Sequence, residues 1–424
     1  MSFKEDFMDF IDRAMTPAHF IDIARTKLLK AGYVEINEKE KQEHIPNKFF
    51  INRNNRALAV VNKKNFDTGV IVGAHIDSPV LKIVKGTNQF NQGAEVNSVY
   101  FYGGGLWMSW IDRDLKIAGR AIFNIDGKLY SKLIHSEKAV AVIPSLAVHL
   151  KSGIALKPGL KEANFKPIFK LKDSDDGEST LDKIVADLCG CDVTQLVDYE
   201  VSLVPEQKSS VTGISGDFIH SPRLDDLSCA IPSLNAIISM DEPKTGACIY
   251  LAFDNEEIGS ASRCGAKSDF LQTVLDLAGA DSSFLQRSIL VSADVAQGYN
   301  PNFKENYNED HHLSIGQGIM YSYCQNMSFA TNAPIKAFIQ KIADEENINI
   351  SPFVNKHFVP SGTTIGPHIN SKYGVVVIDI GVPLLAMHSI REMGSLKDIE
   401  NYQNLISAIF DHIEDVPTMR NQLD

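Results

Sequence analysis

Two adjacent glutamates, Glu256 and Glu257, stand in the stretch Leu251–Ser260, which reads Leu-Ala-Phe-Asp-Asn-Glu-Glu-Ile-Gly-Ser. They follow an apolar, β-prone run, Ala247–Phe253, and precede a Gly259-Ser260 turn. Such an order puts carboxylates at the carboxyl edge of a sheet, where open α/β folds place their active sites. Neighbouring side chains point different ways, so two such glutamates would not do one job, and the functional reading is that one binds a metal and the other moves a proton. Taken alone, the pair reads first as a solvated acidic loop.

Other residues change that reading. His75, Asp225, Glu257, Asp294 and His388 each lie just beyond an apolar strand or at a helix start. Two imidazoles and three carboxylates suit zinc, cobalt or manganese, because borderline metals accept both donor types. One bridging carboxylate would turn these ligands into two three-ligand sites with open positions for water and substrate. Two metals about 3.5–4 Å apart polarise a carbonyl and generate hydroxide at neutral pH. Asp77, two residues past His75, faces the same side of an extended chain and could hold the imidazole's other nitrogen. Singly, His75-x-Asp77 would be a surface pair, and Asp225 or Asp294 a helix cap. Their shared place at the strand ends of one α/β domain favours a metal centre.

The elements that must position these residues follow from the pattern of apolar positions. Phe3, Phe7, Phe10 and Ile11 predict an amphipathic helix over residues 2–14. Thr16-Pro17 starts a second helix that Gly32 ends. Lys48–Asn52, Arg56–Asn62 and Thr68–Ala74 read as strands, the last nearly all apolar and therefore central. From Val80 to Val211 the texture becomes short β segments (Val80–Val84, Lys116–Phe123, Val140–Ile143, Val201–Leu203) broken by polar loops such as Lys172–Ser179. Gly103-Gly104-Gly105 reads as a turn, since no P-loop helix start follows it. The α/β texture resumes near Gly213 with a helical stretch to Met240, interrupted by Pro232. Next come the Ala247–Phe253 strand, a helix near Ser268–Ala280 and a strand Ser288–Ala293. A helix from Asn332-Ala333-Pro334 to about Asn347, a strand Gly374–Ile380 and a helix Leu396–Ile413 complete the chain. The expected organisation is a discontinuous α/β domain, residues 1–79 and 213–424, interrupted by a β-rich domain over 80–212.

Composition sets further bounds. At 424 residues the chain exceeds one core, and 44% hydrophobic with 22% charged residues is ordinary for a globular protein. A net charge of −12 with no basic run argues against a nucleic-acid partner. The six cysteines, Cys189, Cys191, Cys229, Cys248, Cys264 and Cys324, show no framework or zinc-ribbon spacing. The stretch Met1–Met15 is charged throughout, unlike a signal peptide, and no uncharged apolar run reaches membrane-spanning length. A reduced, cytoplasmic protein without membrane association is the expectation.

Six ordered motifs resemble a known family. They are His75-Ile76-Asp77-Ser78-Pro79, Ser221-Pro222-Arg223-Leu224-Asp225, Phe253–Ser260, Ser292-Ala293-Asp294, Ser361–Pro367 and Met387–Glu392. Together they resemble the M18 metalloaminopeptidases, the aspartyl aminopeptidase and aminopeptidase I type. Gly103–Trp107 and Asp112–Leu115 resemble that family's inserted domain. The resemblance implies an α/β/α dizinc exopeptidase domain interrupted by a β-rich dimerisation domain. It further implies a homo-oligomer, dimers assembled into a tetrahedral dodecamer, that removes single amino-terminal residues, acidic or neutral, from peptides. By motif, Asp225 would bridge two divalent ions, zinc before cobalt or manganese. His75 and Asp294 would complete one site, Glu257 and His388 the other. Asp77 would orient His75, Glu256 would be the general base, and Gly362 and Thr363 would contact substrate. His149, in the inserted segment, would act in a neighbouring subunit's site or serve as a ligand. Gln297 and Asn300 stand where many members carry histidines, and Asn326 or Met327 where aspartyl-specific members place a lysine, so the resemblance implies the reaction but not acidic specificity. The same ligand types would also serve a dinuclear amidase or deacylase, or an inactive metal-stabilised scaffold; the retained Glu256 speaks against the scaffold.

Overall fold

The computed structural model describes residues 2–150, 164–171, 179–324, 326–356, 359 and 361–423. These fold as two compact units. One comprises Met1–Asp77, Ser209–Met387 and Glu392–Asp424; the other comprises Ser78–Lys208 and His388–Arg391.

The first unit is built on a nine-stranded sheet. Its centre is four parallel strands in the order Ala247–Phe253, Gly69–His75, Ser288–Ala293 and Val376–Gly381. Gly69–His75 is buried along its whole length, as its unbroken apolar sequence requires of a strand covered on both faces. Antiparallel pairing extends the sheet on one side through Ala57–Lys63 and Lys48–Arg53, and on the other through Ile319–Ser322. Alternate residues of each strand enter opposite layers. Val70, Val72, Tyr250 and Val291 pack with the helices Phe3–Arg13, Pro17–Lys30, Leu224–Ser239, Ala333–Glu345 and Leu396–Asp411. Ile71, Ile249, Leu251 and Leu290 pack with Phe270–Ala278 and Ile365–Tyr373. Helices cover both faces, giving the α/β/α sandwich. Local signals set the helix starts: Ser2 forms a capping box with Glu5, and Thr16 and Asn332 cap helices whose first turn carries a proline.

The second unit has a five-stranded antiparallel sheet in the order Lys128–His135, Leu115–Ile125, Leu196–Pro205, Val80–Ile83 and Val99–Tyr102. A three-stranded sheet, Ile168–Leu171, Ala94–Val96 and Gln89–Asn91, accompanies it. Leu81, Leu115, Ile117, Val201 and Leu203 form its core with Leu181 and Val185 from the helix Thr180–Cys189.

Several sequence expectations need correction. Val140–Ile143 is not a strand: Ala141 bridges Leu115 in one sheet and Val142 bridges Ile168 in another, so neither ladder extends. Pro232 does not interrupt its helix, which runs from Leu224 to Ser239; the non-helical residues are Asp225 and Asp226. The strands Val34–Ile36, Ile319–Ser322 and Ile350–Phe353 and the helices Thr180–Cys189, Ile365–Tyr373 and Val416–Leu423 were not anticipated. Residues 172–178 of the acidic loop lie outside the described residues. Among the described residues, no helix is long and apolar enough to cross a membrane.

Candidate metal centre

Three of the four central strands end at one place on the sheet's carboxyl edge. His75 is the last residue of its strand, in register with Phe253. The chain beyond Phe253 turns through Asn255, at φ 67°, into a short 3₁₀ turn, Glu256–Ile258, closed by Gly259 at φ 94°. Asp294 directly follows Ser288–Ala293, and its N–H donates to the Ile380 carbonyl at 3.1 Å. Gly381 permits that approach, since a Cβ there would collide with the Asp294 carbonyl oxygen. Asp225 enters from the opening of the helix Leu224–Ser239, after Arg223 in the left-handed region, and its peptide bond to Asp226 is cis.

These elements bring His75, Asp225 and Glu257 together, with one donor atom each lying within 4.8 Å of the others. Asp225, Asp226 and Asp294 form a second, overlapping group by the same measure. His75 Nδ1 lies 3.1 Å from the Asp77 carbonyl oxygen. A carbonyl only accepts, so Nδ1 carries a proton, and with a cation bound Nε2 would present its lone pair. That Nε2 faces Asp225 Oδ1 at 3.2 Å and Asp294 Oδ1 at 3.8 Å. Acceptors this close, and buried, need positive charge between them. The donor set fits a divalent cation on that ground: an imidazole nitrogen and converging carboxylates.

Electrostatics support the same conclusion. Burial opposes charge on His75, yet the Asp225 and Asp77 carboxylates and the charges of Asp294 and Asp226 outweigh it, and the imidazole's pKa lies well above its ordinary value. Burial pushes the Asp294 and Asp226 carboxyls well above theirs, against the His75 charge, with Asp225 adding to the rise in both. Glu256 adds to the rise at Asp294, so its charge is felt there. A bound cation would relieve both the imidazole and the crowded carboxylates.

Asp77 makes contacts beyond those expected of a residue that orients His75. Its Oδ1 accepts the Glu256 N–H at 3.1 Å and its Oδ2 the Glu257 N–H at 3.2 Å, while Oδ1 also lies 3.5 Å from His75 Nδ1. One carboxylate therefore ties the histidine strand to the glutamate turn. Sequence reasoning missed two further groups. Asp226 Oδ2 accepts the His75 N–H at 3.3 Å, and Glu392 Oε2 accepts the Asp225 N–H at 3.0 Å. The signal for both was present, an Asp-Asp doublet and the end of the Met387–Glu392 motif, but neither position carries a spacing that names a partner.

The remaining candidates are not members of these groups. His388, at φ 65°, belongs to the second unit, where its Nδ1 donates to the Gly104 carbonyl at 2.9 Å, and neither ligand group includes it. Gly362 and Thr363 are exposed on the loop that enters the helix Ile365–Tyr373. His149 is exposed on the 3₁₀ turn Val148–Leu150 of the second unit. Asn326 accepts from the Cys324 thiol at 2.8 Å and the Ser328 N–H at 3.1 Å, and Met327 is exposed at φ 61°.

Comparison with known proteins places this geometry. The family described as aminopeptidase I zinc metalloprotease (M18) matches residues 10–410. A probable M18 family aminopeptidase 2 of Pseudomonas fluorescens (strain Pf0-1) is 33% identical over 420 residues, covering 96% of this chain and 97% of the relative. The crystal structure of yeast aminopeptidase 1 superposes with a TM-score of 0.88 at 28% identity, covering all of both chains. The S. cerevisiae mApe1 dodecamer gives 0.87 at 28% identity, covering 99% of this chain and 98% of that one. With a family match over nearly its whole length and converging acidic and histidine donors on the strand ends, the chain belongs to the M18 zinc metalloaminopeptidases and is a metal-dependent aminopeptidase.

Proposed function

We propose that this aminopeptidase works with two divalent ions, zinc before cobalt or manganese, and that it accepts acidic and neutral amino-terminal residues. Asp225 would bridge the ions, with His75 and Asp294 completing one site and Glu257 and His388 the other. The observation that carries the reading is the convergence of His75 Nε2 on Asp225 and Asp294 while Asp77 holds the opposite ring nitrogen. For His388 the support is the Met387–Glu392 motif.

Bound zinc would supply Lewis acidity toward the scissile carbonyl and toward water. The protein's own groups would do the rest. Glu256, held by its N–H to Asp77, would take a proton from the attacking water and pass it to the leaving nitrogen. Gly362 and Thr363 would meet the substrate backbone. Residues 80–212 would form the dimerisation domain of a homo-oligomer. A relative of this chain is described as a dodecamer, and we extend that assembly, with tetrahedral symmetry, to this protein. No lysine stands at the turn around Asn326, so acidic residues gain less here than in aspartyl-specific relatives.

The testing experiment is hydrolysis of aminoacyl chromogenic substrates across side chains, before and after chelation, with elemental analysis of bound metal. Chelation should abolish activity and zinc, cobalt or manganese should restore it, with two ions per chain. A fully active preparation free of metal would overturn the proposal.

A further inference from the structure

Asp379 interrupts the apolar strand Val376–Gly381 with a carboxylate that is only 1% exposed, and it belongs to neither ligand group. Its Oδ1 accepts from the Thr364 hydroxyl at 2.6 Å, and its Oδ2 accepts from the Ala330 N–H at 2.6 Å. The Asp379 N–H donates to Thr331 Oγ1 at 3.0 Å. Beside it, Ser292 is its register partner on the strand that leads into Asp294, and the Ser292 hydroxyl donates to Thr364 Oγ1 at 3.4 Å. Three separated segments therefore meet at this residue: Ala330-Thr331, Thr364 with the loop before it, and the strand that leads into Asp294.

Local details show that this meeting is built. Thr364 occupies the N-cap position of the helix Ile365–Tyr373, yet its hydroxyl makes no capping bond and turns to Asp379 instead. The carboxylate then faces the first turn of that helix, where negative charge is favourable. Gly366, in that turn, leaves the needed space: a Cβ there would lie 2.6 Å from Asp379 Oδ1 and 2.8 Å from Ser292 Cβ. Burial pushes the Asp379 carboxyl up to about 6, while Thr364, Ser292 and Ala330 act to keep it ionised. A strand needing only core packing would be better served by an apolar residue, since a buried charge costs stability unless its partners compensate it.

We propose that Asp379 is a positioning residue, holding the Ser361–Thr364 loop and the Ala330-Thr331 segment in register with the strand that bears Asp294. In this role it fixes the substrate side of the site without touching metal or substrate. The inference rests on the reading of Gly362 and Thr363 as substrate contacts of an aminopeptidase.

The test compares Asp379→Asn, Thr364→Val and Thr364→Ser in the metal-loaded, full-length enzyme. Asn keeps the shape but puts an NH₂ where one oxygen now accepts. Loss of a hydrogen bond to a charged group predicts a fall of roughly 10–100-fold in kcat/KM on aminoacyl chromogenic substrates. The fall should lie mainly in KM, with metal content unchanged and with faster amide exchange confined to residues 329–332 and 361–364. Thr364→Val should share this signature, the double variant should be no worse than the worse single one, and Thr364→Ser should recover most of the loss. Unchanged KM and exchange in the folded variants would overturn the proposal, as would faster exchange throughout the sheet with loss of metal. If Asp379→Asn does not fold, Thr364→Val decides alone. An inactive wild-type enzyme would instead sink the aminopeptidase reading, and the exchange measurements would still decide whether Asp379 holds the loops.

Discussion

Replacing Asp77 by Asn keeps the side chain's shape but sets an amide NH₂ against a backbone N–H that a carboxylate oxygen now accepts, at either Glu256 or Glu257. The glutamate turn should loosen, and with it the placing of both carboxylates. We expect metal affinity in Asp77→Asn to fall roughly 10–100-fold, the usual cost of disturbing groups that orient ligands, measured by competition with a chelator of known affinity. The two glutamates themselves should part company. Glu256→Gln should retain metal and lose kcat by ~10²–10⁴, as expected for a positioned proton-transfer group. Glu257→Gln should lose metal first, because a neutral amide is a poor ligand. The opposite pattern would exchange the two roles. At this scale the sequence was readable where an ionisable residue ends an apolar strand or opens a helix: His75, Glu257 and Asp294 stand at strand ends and Asp225 at a helix start, and two overlapping groups bring them together, though neither includes His388. It was not readable where function lies in a side chain's hydrogen bonds to distant backbone, as for Asp226 and Glu392.

Among elements, Asp398 shows how a loop is tied to a helix. It sits in the first turn of Leu396–Asp411, and its two oxygens accept the N–H groups of Gly316 and Gly318, the latter at 2.9 Å. Burial pushes its carboxyl up to about 6 despite those bonds. Between that value and the ordinary one near 4, the folded state binds more protons than the unfolded state. The stability from this group is thus greatest at low pH and declines as pH rises through about 6. The deficit of Asp398→Asn relative to wild type should therefore shrink from pH 4 to pH 7, by up to about 3 kcal/mol on linkage grounds. Urea denaturation of both proteins in the same buffers measures it, and a deficit that grows with pH would show the sign to be wrong. Elements with long apolar runs were legible for the same reason that they are stable: Gly69–His75, Ala247–Phe253 and Ser288–Ala293 are buried throughout. The short strand Ile350–Phe353 was not, since four residues with a proline carry little period, and its parallel pairing to Ile319–Ser322 depends on a partner far away in sequence. Pro232 misled for a related reason. Helix burial on both sides of it outweighs the one N–H it lacks.

For the whole molecule, the change of texture near Val80 and Gly213 was visible because the antiparallel strands between them, such as Leu115–Ile125 and Leu196–Pro205, are only partly buried and so mix polar with apolar residues. What spacing could not express is that His388–Arg391 groups with Ser78–Lys208. His149 lies in the second unit, whereas His75, Asp225, Glu257 and Asp294 lie in the first. We expect His149 to serve the site of a neighbouring subunit, because a two-fold pair lets each inserted segment complete its partner's site. An imidazole donating to the developing negative charge of the scissile carbonyl would contribute roughly 10²–10³ in kcat. His149→Phe should then be nearly inactive with its full metal content, and Glu256→Gln should be nearly inactive as well. Co-assembling the two variants supplies the decisive measurement. In a mixed pair, one site combines an intact Glu256 with the partner's intact histidine, so part of the activity should return. If mixed oligomers are demonstrated by native mass spectrometry and no activity returns, His149 acts within its own subunit or not at all. Loss of metal from His149→Phe would make it a ligand instead.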